Sequence, residues 1–298
     1  MMNTTALHHK ITRWFDHHGR DLPWRRPDCS PWGVLVSEVM LQQTPVVRVL
    51  PVWTEWMHRW PTPADLAQAP TAEVLRAWGN LGYPRRALRL QSTATALVER
   101  FHGTVPADPA QLRSLPGIGD YTAAAVSSFA FGIPETVIDT NIRRVHARLV
   151  NGKGLPHTSL TAAEKRLAQQ LMPDDTITAN QWNKAVMELG ALVCTARSPS
   201  CAACPVLSEC AWIAAGKPDP DYQPTGQTWH GTDRQVRGAI MGLLRARDSV
   251  DRAELRSAVT ATGKLGTHCP DDSQWERCVS GLLHDGLIVA TKQYLTLP

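Results

Sequence analysis

Leu115-Pro116-Gly117-Ile118-Gly119-Asp120-Tyr121-Thr122-Ala123, with Val137-Ile138-Asp139-Thr140-Asn141 downstream of it, is the stretch that decides the fold. It stands between an apolar helical run and a run of small residues, Ala123 to Val126. Glycine tolerates positive φ, so Gly117 and Gly119 predict a tight hairpin between two helices. The free N–H groups of such a hairpin, with the N-terminus of its second helix, make an anion site suited to a phosphate. After that helix Asp139 falls inside an apolar run, where a carboxylate is costly unless it has a partner or a task. Taken alone, Leu-Pro-Gly-Ile-Gly also suits an ordinary interhelical turn, so the rest of the chain has to decide.

The chain's 298 residues suffice for two or three domains. With 43% hydrophobic and 19% charged residues it has the composition of a soluble globular protein. A net charge of +4 means that binding to nucleic acid would use local patches rather than a global field. The eleven tryptophans against four phenylalanines are expected mostly in the core. Residues 1–10 lack the apolar stretch of a signal peptide and no run is long enough to span a membrane, so a cytoplasmic location is expected. In that setting seven cysteines argue for metal rather than disulfides.

Residues 7–19 read as an amphipathic helix with Leu7, Ile11, Trp14 and Phe15 on one face. Arg20 to Arg26 form a loop broken by prolines, and a helix begins again at Pro31. Further helices are predicted near 46–58, 63–67, 71–80, 84–101, 108–115, 120–131, 139–150, 160–172 and 178–193, so the first 215 residues are nearly all α. A proline-rich linker covers 216–226. Beyond it, helices near 233–247, 251–261 (capped by Asp251) and 272–285, then two short strands, suggest a winged-helix-like module over 227–298. Its acidic and basic residues nearly balance. His8-His9 and His17-His18 read as surface residues.

Cys194, Cys201, Cys204 and Cys210 follow a predicted helix in the order Cys-x6-Cys-x2-Cys-x5-Cys. Four thiolates so close together suit an iron–sulfur cluster or a tetrahedral metal. Zinc sites more often use paired Cys-x2-Cys knuckles, and only one such pair is present. Cys29, Cys269 and Cys278 stand alone and read as structural.

The hairpin, Asp139 and the cysteine spacing together resemble the helix-hairpin-helix DNA glycosylases that carry a 4Fe–4S cluster. Within that superfamily the chain resembles the MutY-type adenine DNA glycosylases over about residues 7–215. The motifs that carry the likeness are Ser37-Glu38-Val39-Met40-Leu41-Gln42-Gln43-Thr44, Asp21-Leu22-Pro23-Trp24-Arg25, Leu81-Gly82-Tyr83 and Met187-Glu188-Leu189-Gly190-Ala191. The resemblance implies a mainly α fold. A six-helix barrel domain would span 30–135, an iron–sulfur cluster domain 1–29 and 136–215, and the active site would lie in the cleft between them.

Adenine is a poor leaving group, and cleaving its glycosidic bond leaves an oxocarbenium-like sugar. The chemistry therefore needs an acid for the base and a carboxylate for the cation. Glu38 sits on an apolar helix, where desolvation favours the protonated form. By resemblance it protonates N7 of adenine and later handles the water. Asp139 is expected to stay ionised, helped by the start of its helix, and by resemblance it stabilises the cation or bonds to it. A solvated helix residue at 38 and a plain N-cap at 139 are the simpler readings, and Asp139 can be both. Tyr121 and Asn141 match positions that assist these carboxylates, while Leu22, Trp24, Arg25 and Glu188 match an adenine pocket.

The target base must leave the stack to be reached. By resemblance Gln43 fills the vacated space, Thr44 touches the opposite 8-oxoguanine and Tyr83 wedges beside it. A buried tyrosine anchoring the turn is the other reading of Tyr83. Gly117 and Gly119 would hold a DNA phosphate. Arg85, Arg86, Arg89, Arg143, Arg144 and Arg148 read either as phosphate contacts or as a solvated face. The implied partner is duplex DNA with adenine opposite 8-oxoguanine or guanine, bound by a monomer.

Three other readings stay open on sequence. An endonuclease III-like lyase would need a lysine where Tyr121 stands. A thymine-mismatch glycosylase of the same superfamily can also carry tyrosine there. The winged-helix-like tail suits a non-catalytic iron–sulfur DNA-binding protein. Two departures from the family matter as well. Pro84 stands where a second tyrosine is common. Residues 226–298 are too short for the Nudix-like domain that reads 8-oxoguanine in typical members, and no Phe-Ser-His occurs. A weaker preference for 8-oxoguanine over guanine opposite adenine is therefore expected than in a member with that domain. Single-turnover assays of both enzymes at matched salt check this, and equal preference contradicts it.

Overall fold

Side-chain capping explains where most helices begin. In the computed structural model, which describes residues 3–223, 226 and 228–298, Asn3 accepts from the Ala6 N–H to start α1 (Thr4–His18). Thr62 with Asp65, and Thr161 with Glu164, form capping boxes for α4 (Pro63–Gln68) and α10 (Ala162–Gln170). Asp108, Asp139 and Asp175 cap α7 (Pro109–Arg113), α9 (Thr140–Leu149) and α11 (Thr176–Leu192). The remaining helices of this part are α2 (Pro31–Leu41), α3 (Val46–Arg59), α5 (Thr71–Trp78), α6 (Arg85–Phe101), α8 (Asp120–Phe131) and α12 (Ala211–Ala214). Met1 and Met2, and Pro224, Thr225 and Gln227 at the junction of the expected linker and C-terminal module, lie outside the described residues.

The chain gathers into two units. One consists of residues 1–35, 106–114 and 118–224, and the other of 36–105, 115–117 and 225–298. The division runs through α2 and the hairpin, unlike the boundaries expected from sequence, and groups the C-terminal helices with residues 36–105.

In the first unit α1 and α9 both pack on α11. Their apolar stripes meet in a core that includes Leu7, Ile11, Trp14, Ile142, Val145, Trp182, Val186 and Leu189. His8 borders that stripe and is not the surface residue the sequence suggested. Its Nε2 lies 2.9 Å from Leu171 O, and its ring stands edge-on to Trp182 at 4.8 Å.

In the second unit α4 and α5 pack on α6. Trp56 meets Trp60 and Trp78 edge-on, with centroids 4.9 and 5.5 Å apart. Such pairs contribute about 0.5–1.5 kcal/mol each beyond burial. The C-terminal module has α13 (Asp233–Ala246), α14 (Leu255–Ala261) and α15 (Asp272–His284), with a small antiparallel sheet of order β1-β3-β2. In it β1 (Val250–Asp251) and β2 (Val289–Ala290) flank β3 (Tyr294–Thr296), with Val250 opposite Leu295 and Val289 opposite Thr296. Asp251 was expected to cap a helix. It lies in β1 instead, where its carboxylate accepts from the Ala253 N–H, and α14 starts at Leu255. The module rests on the barrel through α13 against α5, the Arg76–Asp248 pair at 3.0 Å and Arg245 Nη2 donating to Asn80 Oδ1.

The hairpin needs only one of its glycines for backbone reasons. Gly117 has φ +77, and a Cβ there would meet Arg89 Cβ at 3.0 Å. Gly119 is extended (φ −95, ψ 180), caps α8 and has nothing within 4 Å of a Cβ position. The expectation that both glycines exploit positive φ is corrected for Gly119, whose missing side chain leaves open space in front of the α8 N-terminus. Gly117→Ala is expected to lower stability by about 1–2 kcal/mol, and Gly119→Ala by less than about 0.5 kcal/mol, in urea unfolding. Equal losses would contradict the assignment.

Candidate active site and nucleic-acid interface

Asp139 is half-buried at the N-terminus of α9. Its Oδ1 accepts from the Ile142 N–H at 2.6 Å and its Oδ2 from Asn141 Nδ2 at 2.8 Å. It is thus an N-cap, as the simpler reading held, and it is also built into a side-chain chain. Asn141 Oδ1 accepts from Arg144 Nη2 at 2.8 Å, and Arg144 donates onward to Gly190 O and Cys194 O, both at 2.7 Å. Gly190 is required here, because a Cβ would lie 2.7 Å from Asn141 Cβ. The sequence suggested that the helix start keeps Asp139 readily ionised. Desolvation outweighs the opposing hydrogen bonds and Arg144, and pushes the carboxyl above the ordinary value of 3.8.

Glu188, on α11, is fully buried and carries its charge through two arginines. It accepts from the Arg20 N–H (3.0 Å), Arg20 Nε and Nη2 (2.7 Å each) and Arg25 Nη2 (2.8 Å). The short turn Pro23–Arg25 beside it buries Leu22 and Trp24, and Arg25 lies over the Phe15 ring at 5.5 Å. Four expected pocket residues therefore occupy one wall. Arg20 belongs with them and was missed, because its partner is 168 residues away and nothing nearby marks it. Tyr121 opens α8 and packs, half-buried, on the core of the same unit.

The other unit carries the remaining candidates. Glu38 is 5% exposed on α2, between buried Ser37 and Val39, which excludes the solvated reading. Gln43 is exposed with φ +55, and Thr44 is buried with its hydroxyl 3.2 Å from Leu81 O. Tyr83 is 46% exposed with φ +46, so it is not the buried anchor of its turn.

The candidate phosphate contacts divide. Arg89 is exposed, and Arg85 is exposed but paired with Asp285 at 3.2 Å. Arg143 is corrected: its guanidinium turns inward to both Glu164 oxygens at 3.0 Å and to His157 O and Ser159 O. Arg86, Arg144 and Arg148 are also buried. The sequence did not reveal these inward guanidinium groups, whose acceptors are mostly backbone carbonyls, with the Glu164 carboxylate and the Asn141 amide oxygen beside them.

Cys194, Cys201, Cys204 and Cys210 share one segment, all as free, partly buried thiols. Burial, with the charges of the other three, pushes the Cys204 thiol up to about 11. Arg148 Nη1 approaches Cys194 Sγ at 3.4 Å. As they stand, no three His, Cys, Asp or Glu side chains among the described residues converge to hold a metal ion. Four soft donors within mutual electrostatic range, beside a cation that offsets thiolate charge, nonetheless fit an iron–sulfur cluster in kind.

The two arginines pull the Glu188 carboxyl from 4.5 down to about 2. A lowered carboxyl stabilises the fold above its unfolded value and loses that contribution as pH falls through the folded one. The wall is therefore expected to contribute on the order of 3 kcal/mol above pH 5 and to lose it between about pH 4.5 and 2. Glu188→Gln should flatten that part of the stability–pH curve and cost about 3–5 kcal/mol at pH 7. A variant curve parallel to wild type would contradict the linkage.

Comparison with known proteins identifies the family. Residues 36–170 match the model of the HhH-GPD superfamily base excision DNA repair proteins. An adenine DNA glycosylase of Mycobacterium tuberculosis is 48% identical over 283 residues, 94% of this chain and 90% of that protein. A thymine/uracil-DNA glycosylase of Pyrobaculum aerophilum is 38% identical over 207 residues, 68% of this chain and 89% of its own length. Among solved structures, a thermostable thymine-DNA glycosylase superposes with a TM-score of 0.63 at 26% identity, over 71% of this chain and 97% of that one. The chain belongs to the MutY-type adenine DNA glycosylases, within the helix-hairpin-helix superfamily of base excision repair proteins.

Proposed function

We propose that this protein is a monofunctional DNA glycosylase that excises adenine opposite 8-oxoguanine or guanine. It would act as a cytoplasmic monomer, with a 4Fe–4S cluster on Cys194, Cys201, Cys204 and Cys210. The observation that carries the substrate is the extent of the likeness. The mycobacterial relative matches 94% of the chain, the C-terminal module included, whereas the thymine/uracil relative matches 68% at lower identity. By function the chain divides into a cluster domain (1–29 and 136–215), a barrel with the hairpin (30–135), a linker and a C-terminal module (227–298).

The proposed mechanism assigns each step to a group of this chain. Leu22, Trp24, Arg25 and Glu188 receive the extruded adenine, in a wall held rigid by the Arg20–Glu188–Arg25 ion pairs. Glu38 gives its proton to N7 as the N9–C1′ bond breaks and its electron pair leaves with the base. The cation at C1′ meets the Asp139 carboxylate. Desolvation makes that anion costly, so a developing positive charge beside it is favoured more than in water. Water then adds to C1′, and its proton returns to Glu38. Asn141 and Arg144 hold Asp139 in place, and Tyr121, at the start of α8, would assist the carboxylates. Tyr121 offers no amine for a Schiff base, so the strand stays intact. The hairpin and the α8 N-terminus would take a phosphate in the space Gly119 leaves open, and Gln43, Thr44 and Tyr83 would meet the gap and the opposite base. The cluster would tie the segment 194–210 into its domain by Fe–thiolate bonds.

Glu38→Gln and Asp139→Asn are each expected to slow single-turnover adenine release by about a thousandfold, with affinity for the mismatched duplex kept within about tenfold. Release within threefold of wild type by either variant would overturn the assignment. Anaerobically purified protein is expected to contain four iron and four sulfide per chain, falling together in Cys201→Ala. Stoichiometric zinc in place of iron would contradict the cofactor.

A further inference from the structure

We propose that Arg86 is a positioning residue for discrimination at the base opposite the target. Its guanidinium clamps the Gln42–Thr44 loop and the Leu81–Tyr83 turn into one surface. The inference rests on the proposed roles of Thr44 and Tyr83 at the opposite base.

Arg86 lies in the first turn of α6 and is 8% exposed. A DNA-facing helix start was a natural place to expect a phosphate contact, but the guanidinium turns inward. Its Nη1 donates to Val39 O (2.9 Å), Met40 O (3.2 Å) and Gln42 O (2.5 Å). Its Nη2 donates to Thr44 Oγ1 (3.0 Å), Gly82 O (3.2 Å) and Leu81 O (3.4 Å). Trp78 and Tyr83 cover it, with ring centroids 5.2 and 5.6 Å from Cζ. One planar group thus joins three segments: the C-terminal end of α2, which carries Glu38, the loop with Gln43 and Thr44, and the turn with Tyr83.

Those segments need such a clamp. Gln43 and Tyr83 both hold the left-handed conformation, at φ +55 and +46. Non-glycine residues persist there only when their surroundings over-determine them. The loop carbonyls cannot find partners in regular structure, and leaving them unpaired when buried is costly. Trp78 adds to the clamp, its Nε1 donating to Gly82 O at 2.9 Å. Arg86 also bonds its own N–H to Tyr83 O, at 2.9 Å.

8-Oxoguanine differs from guanine by an oxygen at C8 and a hydrogen at N7. Telling them apart requires reading groups held to within about 0.5 Å. Thr44 and Tyr83 come from segments about forty residues apart in the chain, and the Arg86 fork spans both. Lysine carries a compact charge without a fork, so it can cap one set of carbonyls but not bridge the two.

The test measures single-turnover adenine release by the full chain from duplexes with adenine opposite 8-oxoguanine and opposite guanine. R86K is expected to reduce the ratio of the two rate constants about tenfold, and T44V is expected to change the ratio little further in that background. W78F keeps a ring under the guanidinium and removes the donor to Gly82 O together with part of a fully buried ring, and is expected to shift the ratio about threefold the same way. Thermal melting reports folding, and W78F alone decides if R86K does not fold. T44V and Y83A in the wild-type background separate the two levels. A ratio they leave unchanged removes the proposed roles of Thr44 and Tyr83, and the inference with them. A ratio they lower but R86K and W78F do not overturns the role of Arg86 alone.

Discussion

The irregular segments of this protein are held by buried guanidinium groups bonded to backbone carbonyls. A loop cannot satisfy its own carbonyls as a helix does, and a buried orphan is costly. Arginine offers five donors in a fixed plane and keeps its charge when enclosed. Arg86 gathers the α2 end and two turns. Arg144 links Asn141 to Gly190 and Cys194. Arg148 bonds to Gly154, Thr195 and Ala196 and stacks under Trp212. The chain thereby fixes these loops without lengthening its regular elements.

The same constraint governs the carboxylates, with different outcomes. Glu188 is enclosed with two cations on it and is firmly ionised. Asp139 has amides and a more distant arginine, so its anion is held at a cost. Under the proposed mechanism such a pair suits a reaction that brings its own positive charge: the first carboxylate would shape a wall, and the second would meet a cation. Two acidic residues on adjoining motifs would look equivalent on composition alone, and it is their partners that make them different.

Much of this was legible in the sequence because it is local. Helix periods, capping residues, the hairpin and the cysteine spacing are all short-range patterns, and the helices of the first 215 residues lie within a few residues of where periodicity puts them. Eight of the eleven tryptophans are buried, as their spacing suggested. What escaped was long-range. The partners of Arg20, Arg86, Arg143 and Arg144 lie far along the chain or are carbonyls, which carry no sequence signature, so inward guanidinium groups read as a basic face. Strand β1 has two residues and forms only because β3 presents an edge to it, too little for an alternating pattern to mark. The φ of Gly119 could not be told from that of Gly117 without the turn itself.

The most direct test of the account is the identity of the base released by the wild-type protein. Duplexes with a single adenine opposite 8-oxoguanine, or a single thymine opposite guanine, are incubated with excess enzyme. Free bases are separated by chromatography, and the strands are examined before and after alkali. The account predicts free adenine from the first duplex, a strand that breaks only after alkali, and no thymine from the second. Thymine release at a comparable rate, or strand cleavage without alkali, would contradict it.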